Sequence, residues 1–549
     1  MKPFNYRRSL KSATMFGAVL IAATFTTSCF AQSATAVGKS ENETNLAVDS
    51  KNELSAVLAR ASESEQVTAS CWPSFLGRGA TQLTPSLLPT HWSHQKNVSW
   101  KTSILGAGQS SPVIWGDQVF VTSIEGDMKD ECLVTCISLA DGETLWTYKT
   151  PSSQPVRSNY YQSRSAPTPV VDQDRIYCLF ETGKLVALDH QGEEIWVRSL
   201  TDDYGAFEVR IGLAASLAQT EDHVIGLVDH EGPSYLLAVD KSTGKTAWKT
   251  ERFSRQSYTS PIILPIAGEP QVVCSSDGSV DGYDIKTGEQ LWTYEEVGGN
   301  RATSPLPISD GVFLISASPG MHGEYSEDAK ASNMVMRVER NGEDYQPSVV
   351  WRTEKAMPSF ASPMVHQGHA YWVSNTGILF CFDAKTGEMS YKHRLGQRCW
   401  ATPLGVGDHV YFFGKDGTTK VLAAGGEYQV IAENELIQGA TEAGHADIKK
   451  REEREKKNQM ADKGTSAEKE KSDSNAASQG QDRGRDRGRS SRDGVSFAES
   501  IQYGYAAVDG SLVIRTGSNV FCIRNVDAGA DSPQESIKQK SASTTGGDK

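Results

Sequence analysis

Tyr283-Asp284-Ile285-Lys286-Thr287-Gly288-Glu289-Gln290-Leu291-Trp292 reads as a hairpin. A strand ends at Asp, whose carboxylate can accept backbone N–H groups in the turn; Gly supplies the positive-φ position; a second strand carries the aromatic. The phrase returns along the chain. Leu139–Trp146, Leu188–Trp196, Val239–Trp248 and Phe382–Tyr391 are its other copies, the last with Tyr in place of Trp. Its aromatic position runs through Trp100, Trp146, Trp196, Trp248, Trp292, Trp351 and Tyr391, at intervals of 46, 50, 52, 44, 59 and 40 residues. A period of that size with four short strands per unit is the mark of propeller blades, in which such aromatics dock one blade on the next.

Each unit also opens alike. Ser111-Pro112-Val113, Thr168-Pro169-Val170, Ser260-Pro261-Ile262, Thr303-Ser304-Pro305, Ser362-Pro363-Met364 and Thr402-Pro403-Leu404 precede apolar strands such as Arg175 to Phe180 and His409 to Phe413. With openings near 216 and a degenerate one near 500–506, the count is eight. The fold class read from these repeats is all-β, an eight-bladed β-propeller of four-stranded antiparallel blades. Trp100 precedes the first opening, so the strand around Asn97 to Lys101 is expected to supply the outer strand of the last blade and close the ring.

The repeats resemble those of pyrroloquinoline-quinone (PQQ)-dependent dehydrogenases and of BamB-type outer-membrane assembly lipoproteins. Cys71-Trp72-Pro73-Ser74-Phe75-Leu76-Gly77-Arg78-Gly79, with Trp92 and Asn97-Val98-Ser99-Trp100-Lys101, is similar to the exported PQQ-like repeat propellers abundant in planctomycete-type bacteria. The resemblance runs from about 71 to 526 and implies the fold far more strongly than any activity.

Residues 1–31 read as an export signal, with Arg7, Arg8 and Lys11 ahead of an uncharged run from Met15 to Phe25 and small residues before Ala31. The expected location is the periplasm or cell envelope, or the outside of the cell. Lipidation at Cys29 would add a membrane tether, although no Leu stands three residues before it. Residues 32–70 and 528–549 read as disordered tails, and 437–496 as a charged disordered insertion between blades seven and eight of a propeller built from 71–436 and 497–527. A net charge of −13 argues against a nucleic-acid surface. Nine cysteines lack the spacing of a disulfide scaffold, and Cys132 and Cys136 on one strand lie too far apart to bridge.

In a four-stranded blade, the loops between blades and the loops joining second to third strands emerge on one face. The long connections Thr150 to Ala166, Ala317 to Asn333, Glu125 to Glu131 and 437–496 all belong to that face, where loops on a rigid frame are free to vary. Candidate binding residues there are Arg157, Tyr160, Tyr161, Arg164, Tyr258, Arg301, His322, Arg398 and Trp400, because Arg and aromatics dominate recognition surfaces. Pairing of Arg164, Arg301 and Arg398 with neighbouring blades is the competing account of those three.

Catalytic signals are missing. No adjacent cysteine pair, Gly-x-Ser-x-Gly elbow, His-Glu-x-x-His or calcium-loop pattern occurs, and Asp141, Asp189, Asp240, Asp284 and Asp383 suffice as turn formers. The expected function is therefore a monomeric, non-catalytic, cofactor-free scaffold that binds a protein or peptide in the cell envelope. A dehydrogenase using PQQ with Ca²⁺ is the first alternative. A carbohydrate-binding propeller using Tyr160, Tyr161 and Trp400 is the second.

Overall fold

In the computed structural model the described residues are 71–78, 82–83, 88–154, 156, 164–209, 212–320, 326–358, 360–374, 376–439, 501–508 and 510–525. The export signal, both tails, almost all of the 437–496 insertion, and Arg157, Tyr160, Tyr161 and His322 lie outside them.

The described strands form eight antiparallel blades. Blade one contains Val113–Trp115, Gln118–Glu125, Glu131–Ser138 and Thr144–Pro151 from the inside outward. Blade eight is made of Gly504–Val508, Ser511–Arg515 and Asn519–Ile523, with Val98–Ser103 as its outer strand. The ring thus closes as the repeats require. First strands of successive blades approach one another around the axis.

The recurring phrase works as a lock between blades. Asp284 Oδ1 accepts the backbone N–H groups of Lys286 (2.9 Å) and Thr287 (2.7 Å), which tightens the turn and holds its carboxyl below the usual carboxylate range. The turn of one blade then receives the indole of the blade before it. Trp100, Trp146, Trp196, Trp248 and Trp351 donate from Nε1 to the carbonyls of Leu139, His190, Lys241, Ile285 and Ala384 at 2.8–3.2 Å. Each ring lies on the turn glycine so closely that a methyl group at Gly142, Gly192, Gly244 or Gly387 would sit 2.6–2.7 Å from it.

Three junctions depart from this pattern. Blade five turns at Asn341-Gly342, with nothing near Gly342, and Trp292 instead lies over Gly282 of its own blade, donating to Gln271 Oε1 at 2.8 Å. Tyr391 meets Tyr428 of blade seven at 5.8 Å between ring centroids. In blade seven, Ala432 pairs with Val421 where Trp146 pairs with Cys136 in blade one, so no indole is available. Trp92 makes good the loss: it is buried beside Ala432 in one apolar cluster and stacks on Tyr411 at 6.5 Å.

The Ser/Thr-Pro openings form a second ring nearer the axis. The backbone N–H of Ser111 bonds Thr168 Oγ1, Thr168 bonds Ser216 Oγ, Ser216 bonds Ser260 Oγ, Ser260 bonds Ser304 Oγ, and Ser304 bonds Ser362 Oγ, all at 2.9–3.1 Å. Around blade eight the chain of bonds changes: Tyr505 Oη donates to the carbonyl of Pro403 at 3.0 Å, and Gly504 packs on Ser111. Because these amides are buried, Ser260→Ala leaves the Ser216 N–H unpaired and should cost about 1–3 kcal/mol, whereas Ser260→Thr should keep most of it. Urea denaturation of both variants measures the difference.

The resemblance-bearing segment at Cys71 has a position that no periodicity indicates. Cys71–Trp72 pairs with the inner edge of blade one, Cys71 opposite Trp115 and Trp72 opposite Ile114. Val171 of blade two donates to the Pro73 carbonyl at 3.0 Å. Leu76 joins the cluster of Ile262, Leu306 and Met364 from blades four to six. Gln82–Leu83 runs parallel to Gly405 and Val406 of blade seven, and Trp72 meets Tyr505 of blade eight at 5.8 Å. Trp115, Val171 and Val406 each end an inner strand, so this segment lies across the channel at the end where first strands turn into second strands.

Candidate functional site

One end of the channel is covered by the segment at Cys71, and the candidate residues belong to the other end. Here inner strands begin, outer strands finish, and second strands turn into third. Among the described residues, two short helices decorate this face: Leu200–Tyr204, capped by Ser199, whose hydroxyl accepts the Asp202 N–H at 3.3 Å, and Ser326–Ala331. Neither was foreseen in the sequence. Five and six residues are too few to show a period.

All five described members of the candidate set lie on this face, in three groups. Arg164 and Gln109 fasten the entries to blades two and one: the Gln109 N–H donates to the Arg164 carbonyl, and the Arg164 N–H to Gln109 Oε1, both at 2.9 Å. The Tyr258 N–H donates to the Arg301 carbonyl at 2.8 Å, and its hydroxyl to Gln256 Oε1 at 3.1 Å. Arg398 accepts the Lys415 N–H through its carbonyl at 2.6 Å. The backbones of the arginines therefore stitch neighbouring segments, while their side chains are half-buried.

Trp400 has the richest surroundings. Phe360 meets it edge to face at 5.3 Å and Tyr503 at 6.0 Å, and Lys415 Nζ sits 4.4 Å from its ring centroid, a cation–π distance. Phe360 and Tyr503 were not singled out in the sequence. A signal existed for the first: Tyr258, Phe360 and Trp400 each stand two residues before the hydroxyl residue of a blade opening.

Beneath the loops lie two closed charge clusters. Lys129 Nζ pairs with Glu181 at 3.0 Å between blades one and two, both side chains fully buried, and Glu181 also accepts the Ser165 N–H. Between blades three and four, Arg252 meets Asp229 at 3.0 Å and Asp281 at 3.2 Å. The Arg252 guanidinium is buried yet held well above its ordinary pKa by these carboxylates. Each of these buried acids thus already faces a cation, with Asp229 and Asp281 sharing Arg252. Among the described residues, no three His, Cys, Asp or Glu side chains come together as metal ligands would. These residues do not fit a PQQ–Ca²⁺ centre, which needs acidic oxygens on the metal and a free carboxylate base.

His230 adds a pH-sensitive strap. Its Nδ1 accepts two backbone N–H groups, from Gly232 at 3.0 Å and Glu208 at 3.2 Å, and Phe207 packs on its ring at 5.6 Å. Burial pushes its pKa below the ordinary value, against the opposing pull of the Glu208 and Asp229 carboxylates. A depressed histidine pKa means that the unfolded chain binds the proton more readily, so this contribution is present at neutral pH and is lost as pH falls below about 6.5. Relative to the intrinsic exchange rate at each pH, protection at residues 205–209 should fall between pH 7 and 5, and His230→Gln should flatten that dependence.

The comparisons with known proteins agree with this architecture. A family signature described as outer membrane protein assembly factor BamB matches residues 91–232, 215–344 and 335–427, together more than half of the chain. BamB of Alkalilimnicola ehrlichii is 27% identical over 213 residues, covering 38% of this chain and 49% of that protein. BamB of Shewanella oneidensis is 22% identical over 269 residues, covering 45% and 63%. The chain spans about half the length of the first of these relatives, and somewhat more of the second. Among solved structures, BamB from Moraxella catarrhalis has a TM-score of 0.46 at 13% identity, covering 79% of this chain and all of that one. A quinohemoprotein alcohol dehydrogenase from Pseudomonas putida has 0.49 at 12%, covering 86% and 83%. Likeness at that level does not separate a scaffold from a dehydrogenase, and it is the three matched stretches that decide: this chain belongs to the family of the outer membrane protein assembly factor BamB.

Proposed function

We propose that this chain is an exported, non-catalytic propeller that binds a protein or peptide partner in the cell envelope through its loop-rich face, without a cofactor. The observation that carries this reading is the distribution of exposed apolar side chains. Among the described residues, large exposed hydrophobics occur in two places. Leu105, Met128, Phe253 (82% exposed) and Phe360 stand on the loop-rich face; Leu145, Ile195, Val197, Val350, Met389 and Val430 lie on outer strands. Of the latter, Leu145, Met389 and Val430 stand where outer strands begin, towards the opposite end, whose channel is covered by the chain's own segment. Apolar groups held in water on loops of a rigid frame mark recognition surfaces. BamB relatives, named as outer membrane assembly factors, support an envelope partner.

Affinity capture from envelope fractions with the mature chain tests this. Phe253→Asp/Phe360→Asp should lose the partner retained by the unmodified protein, while Ile195→Asp/Val197→Asp on an outer strand should keep it. The reverse pattern would move recognition to a blade edge, where an extended peptide could add as a strand.

A further inference from the structure

The junction between blades eight and one contains a cation without its counter-charge. Arg515 ends the second strand of blade eight and is fully buried. Its Nε donates to the Thr516 carbonyl at 3.3 Å and its Nη1 to Ser110 Oγ at 3.1 Å. Nη2 has no hydrogen-bond partner, and no carboxylate pairs with the guanidinium among the described residues. Lys129 and Arg252, the other deeply buried cations on this face, both have acids against them.

The surroundings are close-packed and polar. Gly108, in the loop leading to blade one, lies so close that any side chain there would displace Nη2. Ser110 Oγ, which takes the Arg515 bond, also accepts the Thr122 N–H at 3.2 Å, and the Thr122 hydroxyl is itself buried without a partner. Both N–H bonds of Nη2 are thus left without an acceptor among the described residues. Water could satisfy some of that geometry, but it leaves the charge uncompensated, and an isolated buried charge is strongly unfavourable. A guanidinium does not escape by losing its proton, since arginine stays charged in proteins.

We propose that this junction is an anion site: a small monovalent anion, a halide or a carboxylate, binds at Arg515 Nη2 and secures blade eight to blade one. This does not depend on the partner-binding reading. It places the site at the seam where the ring is closed by two ends of the chain.

The test uses the mature protein with sodium bromide and sodium acetate, each titrated against thermal unfolding. A ligand that binds only the folded state raises the folding constant about tenfold for each tenfold rise in concentration above its Kd. That anion dependence is expected in the unmodified chain and absent in Arg515→Met, with the general salt effect cancelling between the two. If Arg515→Met does not fold, Arg515→Lys serves, together with a crystal soaked in bromide. An anomalous bromide peak within hydrogen-bond distance of Nη2, displaced by acetate if carboxylate is the preferred guest, supports the site. Identical anion dependence in the variant and the unmodified chain, or a water at Nη2 with no bromide peak, overturns it.

Discussion

Arg252→Ala is expected to destabilise the propeller by about 3–5 kcal/mol, the usual cost of removing one partner from a buried ion pair. The reason lies in what remains. Asp229 and Asp281 are almost wholly buried, and Arg252 reaches both, along with Ser276 Oγ at 2.8 Å. Only Arg255, 3.8 Å from Asp281, would be left to compensate two carboxylates. Arg252→Lys should recover little, because a single ammonium cannot reproduce a fork shared among three acceptors. Replacing Arg252 and Asp229 together by Met and Leu should cost less than Arg252→Ala alone, since it takes one stranded charge away with its partner. Guanidinium denaturation of the three proteins gives the ordering; a loss under about 1 kcal/mol for Arg252→Ala would contradict the cluster.

A loss of similar size is expected for Trp248→Ala, about 3–5 kcal/mol. This indole is buried between blades three and four, bonds the Ile285 carbonyl at 3.2 Å and lies on Gly288. Gly288→Ala attacks the same lock from the other side. At φ +73° a side chain costs about 1 kcal/mol of backbone strain, and the added methyl must displace the ring, at about 1–3 kcal/mol more. The two changes should not be additive. With Trp248 already truncated, Gly288→Ala should retain only its backbone cost, and a double-mutant cycle by thermal or urea unfolding reads that coupling directly.

Legibility in the sequence followed the range of the interactions. The hairpin phrase is local, so Asp284, Gly288 and Trp292 announced a turn and a following strand from ten consecutive residues. Repetition then supplied the count of blades, and the odd position of Trp100 supplied the closure. Where Trp292 would dock was not readable, because the answer depends on an Asn341-Gly342 turn in another blade that lacks the phrase. Nor could Cys71–Trp72 and Gln82–Leu83 be placed: two-residue strands have no periodicity, and Gln82–Leu83 pairs with residues more than 300 positions away. The Ser/Thr-Pro openings were visible as punctuation, but their linking into a ring emerges only when the blades stand side by side.

The candidate surface shows the same division. Its face could be deduced from connectivity, and Arg164, Tyr258, Arg301, Arg398 and Trp400 are found there. Which of them cluster could not, since Trp400 gathers Phe360 and Tyr503 from other blades. Arg515 gave no sign at all: in Ser511-Leu512-Val513-Ile514-Arg515 it looks like an ordinary polar strand end, and its isolation is set by Gly108 and Ser110 at the other end of the chain.

Hydrogen exchange of the mature protein, alone and in the complex captured from the cell envelope, tests the central claim most directly. Protection should appear in the loops that open the channel, at 104–110, 253–258 and 397–401. The turns at 141–143, 286–289 and 385–388, on the opposite face, should exchange as in the free protein. Protection confined to those turns, with the channel loops unchanged, would contradict the assignment of recognition to the loop-rich face.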